Sequence, residues 1–455
     1  MKTTRSLLTA IILTQALSAQ SLDPSGTWKF GAFELGYNVS SGPSVDWASS
    51  DIQFDNITIS PNQTFTLPDS TSGKWFFSND LFYAVGSDVQ PINMSENLDT
   101  LSFADNEVNP QTGGTFERVN VQIGVRLPDT NFTSNDVAGT WNILRQTDIT
   151  FQNNPGPSSG YNAVIHARDT LQLNSNGTFT LFENETTDPG GTDPAFSGTW
   201  SIVNNAILLA AGGETLEIPN LSSGLDTYLD FRTETFNNGS FTNFDRKIEV
   251  AVKQPDLLNA SDVIGSWGVT IFTTEVDDDT PAFEQDFLGA SYEMGILTIN
   301  SGGSGTYTLL ETSDPLNTSG GLFTWQINGK QLLITDNNNE TFTFYPSAQK
   351  DFAVATYIDE NTGGSAEFYE YITLTRLPNA PGFAAAQPRF NSLDELCIQT
   401  DPGFYYQLQR SLDLVSWSNI EAPILGDGTE KCVTDTTPPT DKAFYRWAIV
   451  APPLP

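Results

Sequence analysis

One order of landmarks recurs three times along this chain and limits what it can fold into. A Gly-x-Trp is followed by a second tryptophan and then by a basic residue just ahead of a proline. The copies are Gly26-Thr27-Trp28, Trp75 and Arg126-Leu127-Pro128; Gly139-Thr140-Trp141, Trp200 and Lys253-Gln254-Pro255; and Gly265-Ser266-Trp267, Trp325 and Arg376-Leu377-Pro378. With 455 residues the chain exceeds what one hydrophobic core of about 250–300 residues holds. Three tandem units over residues 22–128, 135–255 and 260–378 are expected.

Within each unit, apolar and polar residues alternate over short runs broken by turn residues, the pattern of antiparallel strands. Long helical periodicity is absent. A hairpin follows each opening strand: Ile57-Thr58-Ile59 with Phe65-Thr66-Leu67, Leu171-Gln172-Leu173 with Phe179-Thr180-Leu181, and Leu297-Thr298-Ile299 with Tyr307-Thr308-Leu309. The second tryptophan opens another hairpin, and a long one ends the unit on Val119 to Arg126, Ile248 to Lys253 or Tyr371 to Arg376. About eight sequential strands per unit result, and such a meander removes its own edges by closing into a barrel. The fold class predicted is all-β: three tandem eight-stranded antiparallel meander barrels and a small C-terminal β-sandwich.

The Gly-x-Trp on a first strand, with a basic residue ending the last, resembles the lipocalin-like β-barrels. That resemblance covers residues 22–378. It implies that the tryptophan packs at the closed end of each barrel beneath the cation, so that Trp28 meets Arg126, Trp141 meets Lys253 and Trp267 meets Arg376. A cation over an indole face is worth roughly 0.5–2 kcal/mol.

Residues 379–388 are rich in Ala, Pro and Gly and read as a linker. After it come Tyr405-Tyr406-Gln407-Leu408-Gln409-Arg410-Ser411, Trp417, a Gly-Asp-Gly turn and Phe444-Tyr445-Arg446-Trp447. This order over residues 389–455 resembles the fibronectin-like C-terminal β-sandwich modules of exported bacterial proteins, which implies attachment or surface display. The only cysteines, Cys397 and Cys432, are expected to pair there, because the chain begins like an exported protein. Lys2 and Arg5, the apolar run from Leu7 to Leu17 and Ser18-Ala19-Gln20 read as a signal peptide over residues 1–19. No other stretch approaches the roughly 20 apolar residues of a membrane span. The localisation expected is secreted or extracellular, or the periplasm or cell surface in a bacterium.

The formal charge of −35 is spread as single Asp and Glu residues and reads as a solvated surface. Clustered Lys and Arg are missing, so nucleic acid is not an expected partner. His166 is the only histidine, which excludes a multi-histidine metal site, and without a Gly-x-Ser-x-Gly elbow it reads as structural. The densest acidic loop holds Asp277, Asp278, Asp279, Glu284 and Asp286, candidate calcium ligands weighed against a solvated loop. Asp105, Glu107 and Asn109 alternate like part of a calcium loop, but Pro110 occupies the place where such a loop needs glycine.

These features support an exported, non-enzymatic protein that binds a small apolar molecule or a glycan through its barrel rims or interiors, or is displayed at the cell surface. Two alternatives stand beside it: a structural spacer in a surface or matrix assembly, and a secreted glycan hydrolase using paired carboxylates. Apart from the candidate calcium, no cofactor is expected. Function is expected at the rim opposite the tryptophans, including the Asp277 to Asp286 loop and the connection from Thr147 to Tyr161.

Overall fold

A computed structural model describes residues 22–450, apart from 41–44, 69, 71, 79–80, 86–88, 112–113, 154–158, 187–194, 219, 238, 278–285, 314–319, 361–365, 379–388, 391–394, 401–404, 413–417, 428 and 438–443. The signal-peptide and linker readings, Trp417, and Asp278, Asp279 and Glu284 lie outside the described residues. The first unit is a closed barrel of β1 (Gly26–Ser40), β2 (Val45–Ser60), β3 (Thr64–Thr66), β4 (Ser72–Ser78), β5 (Leu81–Val85), β6 (Val89–Met94), β7 (Thr100–Gln111) and β8 (Gly114–Arg126). A one-turn helix α1 (Ser134–Val137) leads into the second unit: β9 (Gly139–Asn153), β10 (Ser159–Leu173), β11 (Thr178–Thr186), β12 (Phe196–Val203), β13 (Ala206–Ala211), β14 (Glu214–Ile218), β15 (Thr227–Asn237) and β16 (Phe241–Lys253). Its eight strands form one sheet, and the seam between β14 and β15 is crossed by the isolated Leu221–Tyr228 bridge.

A second short helix, α2 (Ala260–Val263), precedes the third unit, another closed barrel. Its strands are β17 (Gly265–Asp277), β18 (Asp286–Ile299), β19 (Ser304–Thr312), β20 (Gly321–Asn328), β21 (Gln331–Thr335), β22 (Thr341–Pro346), β23 (Phe352–Glu360) and β24 (Ala366–Arg376). At the C-terminus, β25 (Arg389–Phe390), β26 (Glu395–Gln399) and β29 (Glu430–Thr434) make one small sheet; β27 (Tyr405–Ser411), β28 (Ser418–Leu425) and β30 (Phe444–Val450) make another. Leu396 and Ile398 from the first pack with Tyr406, Leu408, Ile420 and Trp447 from the second. The Cys397–Cys432 disulfide joins β26 to β29.

Two expectations change. The stretch from Thr147 to Tyr161 is not a long connection: β9 runs on to Asn153 and β10 begins at Ser159, because Asp148, Ile149, Thr150 and Phe151 continue the alternation. The acidic residues are not only a solvated surface either. Asp99, Asp148, Asp169, Asp226, Glu249 and Asp351 are buried: alternation turns Asp169 and Glu249 into the second barrel and Asp148 toward the third barrel beside Gln146, and Asp99, Asp226 and Asp351 lie in tight turns.

The barrels meet along an apolar seam to which all three contribute. Phe33 of the first lies edge-on to Phe272 of the third at 5.4 Å, Phe54 stacks with Phe231 of the second at 5.9 Å, and the Tyr371 hydroxyl donates to the Leu144 carbonyl at 3.1 Å. Two glycines permit the approach. A Cβ on Gly31 would fall 2.3 Å from the Phe231 ring, and one on Gly268 would fall 2.2 Å from Asn93.

A second repeat holds the floors together. Ser95 and Asp99, Ser222 and Asp226, and Ser347 and Asp351 each close a turn in which the serine hydroxyl donates to the aspartate four residues on, at 2.9, 3.3 and 3.1 Å. The turns interlock: the Glu96 amide donates to the Arg376 carbonyl at 2.8 Å, the Ser223 amide to the Arg126 carbonyl at 2.6 Å, and the Gln349 amide to the Asp226 carboxylate at 2.9 Å. Asp99 and Asp351, almost wholly buried, face each other within hydrogen-bonding reach, and among the described residues neither Oδ2 has another donor.

Two carboxylates so placed must hold a proton between them. Burial, then the Asp226 charge, pushes Asp99 up to about 6 against the pull of Arg126; burial with Asp99 and Asp226 pushes Asp351 well above the usual range. Lys253 faces Asp226, and Lys350 beside Asp351 is paired with Asp262. In the unfolded chain these aspartates lose their protons near pH about 3.9. The native state keeps protons that the unfolded state releases, so the stability from this junction is complete below that pH and is lost as pH rises through about 6 and above. Asp351→Asn, which keeps the shape and gives Asp99 a donor, is expected to flatten the fall in melting temperature between about pH 4 and 7. A slope equal to that of the unaltered protein would show that the pair does not titrate as one.

Candidate functional site: the barrel chambers

Each unit begins and ends on the same rung, with Trp28 opposite Arg126, Trp141 opposite Lys253 and Trp267 opposite Arg376. All three tryptophans are buried, and each donates its indole N–H to the carbonyl four residues earlier: Pro24 at 2.9 Å, Val137 at 3.0 Å and Val263 at 2.8 Å. The short helices α1 and α2 end at the second and third of these acceptors. The cation lies over the ring in the third floor, where the Arg376 guanidinium is 5.9 Å from the Trp267 ring. All three cations also reach oxygen acceptors: Arg376 Nη1 donates to the Asp262 carbonyl at 2.7 Å, Arg126 Nε to Ser223 Oγ of the second unit at 3.3 Å, and Lys253 Nζ to the Asp136 carbonyl at 2.8 Å.

Above the floor the inward residues change from apolar to charged within a few rungs. On β1 the inward series is Trp28, Phe30, Ala32, Glu34; on β9 it is Trp141, Ile143, Arg145; on β24, read upward, it is Arg376, Leu374, Ile372, Glu370. The upper half of each barrel is therefore a polar chamber, and the three differ in how they balance charge.

In the first, Arg118 bridges Glu34 at 2.9 Å and Glu107 at 3.4 Å, while Asn120 donates to Asp105 at 3.2 Å. Burial raises Glu34, and Arg118 partly offsets it. In the second, Arg145 sits between Glu249 at 3.4 Å and Asp169 at 3.7 Å, the Tyr228 hydroxyl donates to Glu249 at 2.8 Å, and Glu234 accepts from Arg232 at 2.9 Å and Lys247 at 2.7 Å. Against burial, Glu249 and Asp169 raise Arg145, and Lys247 and Arg232 hold Glu234 below its ordinary value.

The third chamber has no such balance. From Gly265 to Arg376 the only basic residues are Lys330, Lys350 and Arg376, in floor-side turns or on the floor rung. Glu370 lies near Glu293, Glu340, Asp359 and Asp336, and burial, then these carboxylates, pushes it up to about 8. It has no hydrogen-bond or ion-pair partner among the described residues. Glu340 is likewise raised by burial, Asp359 and Asp336. Aromatic rings complete the lining: Phe342 and Tyr357 are 4.6 Å apart, and burial followed by Glu340, Asp359 and Glu370 pushes Tyr357 up to about 12. Tyr307, Phe342, Tyr357 and Glu370 are half-buried, so solvent reaches the chamber.

Sequence reasoning did not single out these carboxylates. The signal available was the confinement of the third unit's basic residues to positions 330, 350 and 376. Of the candidate calcium ligands, Asp277 and Asp286 face each other as the last rung of β17 and β18. Among the described residues the one group with metal-like spacing is Glu395 with Cys397 and Cys432, whose sulfurs are bonded to each other. His166 is buried, with Nε2 3.2 Å from Gln146 Oε1 and its ring edge-on to Tyr369 at 5.2 Å; burial pushes it down to about 3. It stays neutral at physiological pH, between the second and third barrels.

No family model and no curated protein matches the sequence. Among solved structures the chain is similar to a double mutant of the vaccine antigen transferrin binding protein B from Haemophilus parasuis Hp5, at 8% identity and a TM-score of 0.21 over 78% of each chain. It is also similar to the isotype 1 transferrin binding protein B of serogroup B Neisseria meningitidis, at 9% identity and a TM-score of 0.21, covering 78% of this chain and 77% of that one. At that TM-score the likeness carries no functional argument. No helix among the described residues is long and apolar enough to cross a membrane.

Replacing Trp267 with alanine removes a buried ring and its hydrogen bond, and is expected to cost about 3–5 kcal/mol in denaturant unfolding. A loss below about 1 kcal/mol would mean that the third barrel does not depend on its floor.

Proposed function

We propose that the chain is an exported, non-enzymatic binding protein whose third barrel takes a small organic cation. The observation that supports this reading is the third chamber: carboxylates and aromatic rings gathered with no cation of the chain's own to meet them. An amine or quaternary ammonium supplies the missing charge, and cation–π contact with Tyr357 and Phe342 adds roughly 0.5–2 kcal/mol. The apolar ligand expected from the sequence suits this interior poorly, because burying it would strip water from Glu370, which has no partner among the described residues. The first two chambers already hold arginine or lysine against their acids and have less to gain from a cationic guest.

The secreted glycan hydrolase remains as a second reading, favoured by one feature. Glu370, pushed up to about 8 by burial and the carboxylates around it, has the character of a general acid. Hydrolysis of polysaccharide by the intact protein, lost in Glu370→Gln, would decide for it.

Calorimetric titration with spermidine and with tetraethylammonium tests the binding reading. We expect one site per chain, release of protons on binding near neutral pH, and a loss of about tenfold or more, 1.4 kcal/mol, in Glu370→Gln. Equal affinity of both proteins for both cations, or no binding by either, would overturn the reading.

A further inference from the structure

Outside the barrels, a cleft lies between the outer face of the second barrel and the β20–β21 hairpin of the third. It has a volume of about 430 Å³ and is lined by Asn142, Arg168, Thr170, Gln254, Asn328, Lys330, Gln331 and Tyr345. A second hollow of about 310 Å³ continues it past Arg168 and Tyr345 to Thr341, Thr343 and Thr356. Both volumes fall in the range of about 300–1,000 Å³ typical of small-molecule sites, and such sites favour domain boundaries.

The chemistry of the lining contrasts with the acidity of the chain. The chain carries a formal charge of −35, yet the larger hollow has no carboxylate in its wall and has two cations, Arg168 and Lys330. Around them stand side-chain amides, a threonine hydroxyl and a tyrosine. Amides donate and accept at once, which matches the paired hydroxyls of a sugar ring, while a guanidinium matches the two oxygens of a carboxylate.

The cleft is held in shape by its own contacts. The Arg168 guanidinium bonds to the Tyr345 hydroxyl and lies 5.4 Å from its ring. Gln331 Nε2 donates to the same hydroxyl at 3.3 Å, and Gln254 Nε2 donates to Asn142 Oδ1 at 2.9 Å. Tyr345 thus joins residues of two barrels, and Arg168, Gln331, Gln254 and Asn142 are held in place before any ligand arrives.

We propose that this inter-barrel cleft binds an acidic saccharide, a sugar carrying a carboxylate. Arg168 and Lys330 take the carboxylate, and the amides of Gln254, Asn328 and Gln331 take ring hydroxyls. The larger hollow shares no lining residue with the third chamber and does not depend on that chamber's ligand.

The test is calorimetric titration of the intact chain with a trisaccharide of galacturonic acid, its neutral galactose counterpart and inorganic phosphate at equal ionic strength. We expect the acidic trisaccharide to bind about tenfold or more tightly than the neutral one, and Lys330→Gln and Arg168→Gln each to weaken it by about tenfold. Lys330 is in a hairpin turn, so its variant keeps the native melting temperature and separates a binding effect from a folding effect. The proposal is overturned by equal binding of the acidic and neutral sugars, by no binding of either, or by Lys330→Gln and Arg168→Gln both binding with unaltered affinity. Phosphate binding as tightly as the acidic trisaccharide would also overturn it, as an unspecific anion site.

Discussion

The rung that pairs the first strand of each unit with its last is the contact on which the remaining structure depends. It closes the sheet, sets the register of β1 with β8, β9 with β16 and β17 with β24, and buries a tryptophan whose indole N–H is satisfied locally. Because alternation counts from that rung, the positions that face inward higher up are fixed as well. A slip by one residue would send Glu370, Glu249 and Arg118 outward and the seam aromatics inward. The floor and the chambers are two consequences of one register.

The serine–aspartate turns extend this order from barrel to barrel. Each turn precedes the seventh strand of its unit, and two of them cap the closing strand of a neighbouring barrel through backbone hydrogen bonds. The apolar seam supplies non-directional attraction, whereas the turns and the Asp99–Asp351 pair supply direction. A sliding rearrangement would strand buried carboxyl groups without partners, which is costly in a medium of low polarity. This is a physical reason for three similar units to form one assembly with a defined cleft between the second and third.

Much of the fold was legible because the repeat marks the strand ends. Trp28, Trp141 and Trp267 identify opening strands, Arg126, Lys253 and Arg376 identify closing ones, and glycine and asparagine turns divide the rest. The chambers were less legible, since an acidic residue on an alternating strand has the same sequence signature whether it faces water or a barrel interior. Glu370 and Glu367 look alike in the chain; only the register to Trp267 separates them. The junction was missed for another reason. Ser95, Ser222 and Ser347 with Asp99, Asp226 and Asp351 repeat as faithfully as the tryptophans, but serine and aspartate are so common in turns that the recurrence passes unnoticed. The cleft depends on Arg168, Lys330 and Tyr345 meeting across two barrels, which no local pattern encodes.

The third barrel gathers carboxylates in its chamber with no cation of its own. Carbon-13 NMR titration of the side-chain carboxyl of Glu370, assigned by comparison with Glu370→Gln, reads this directly. The structure calls for a midpoint near 8, moving down when an organic cation is added. A midpoint in the ordinary glutamate range, about 4.3, and unmoved by the cation would contradict it.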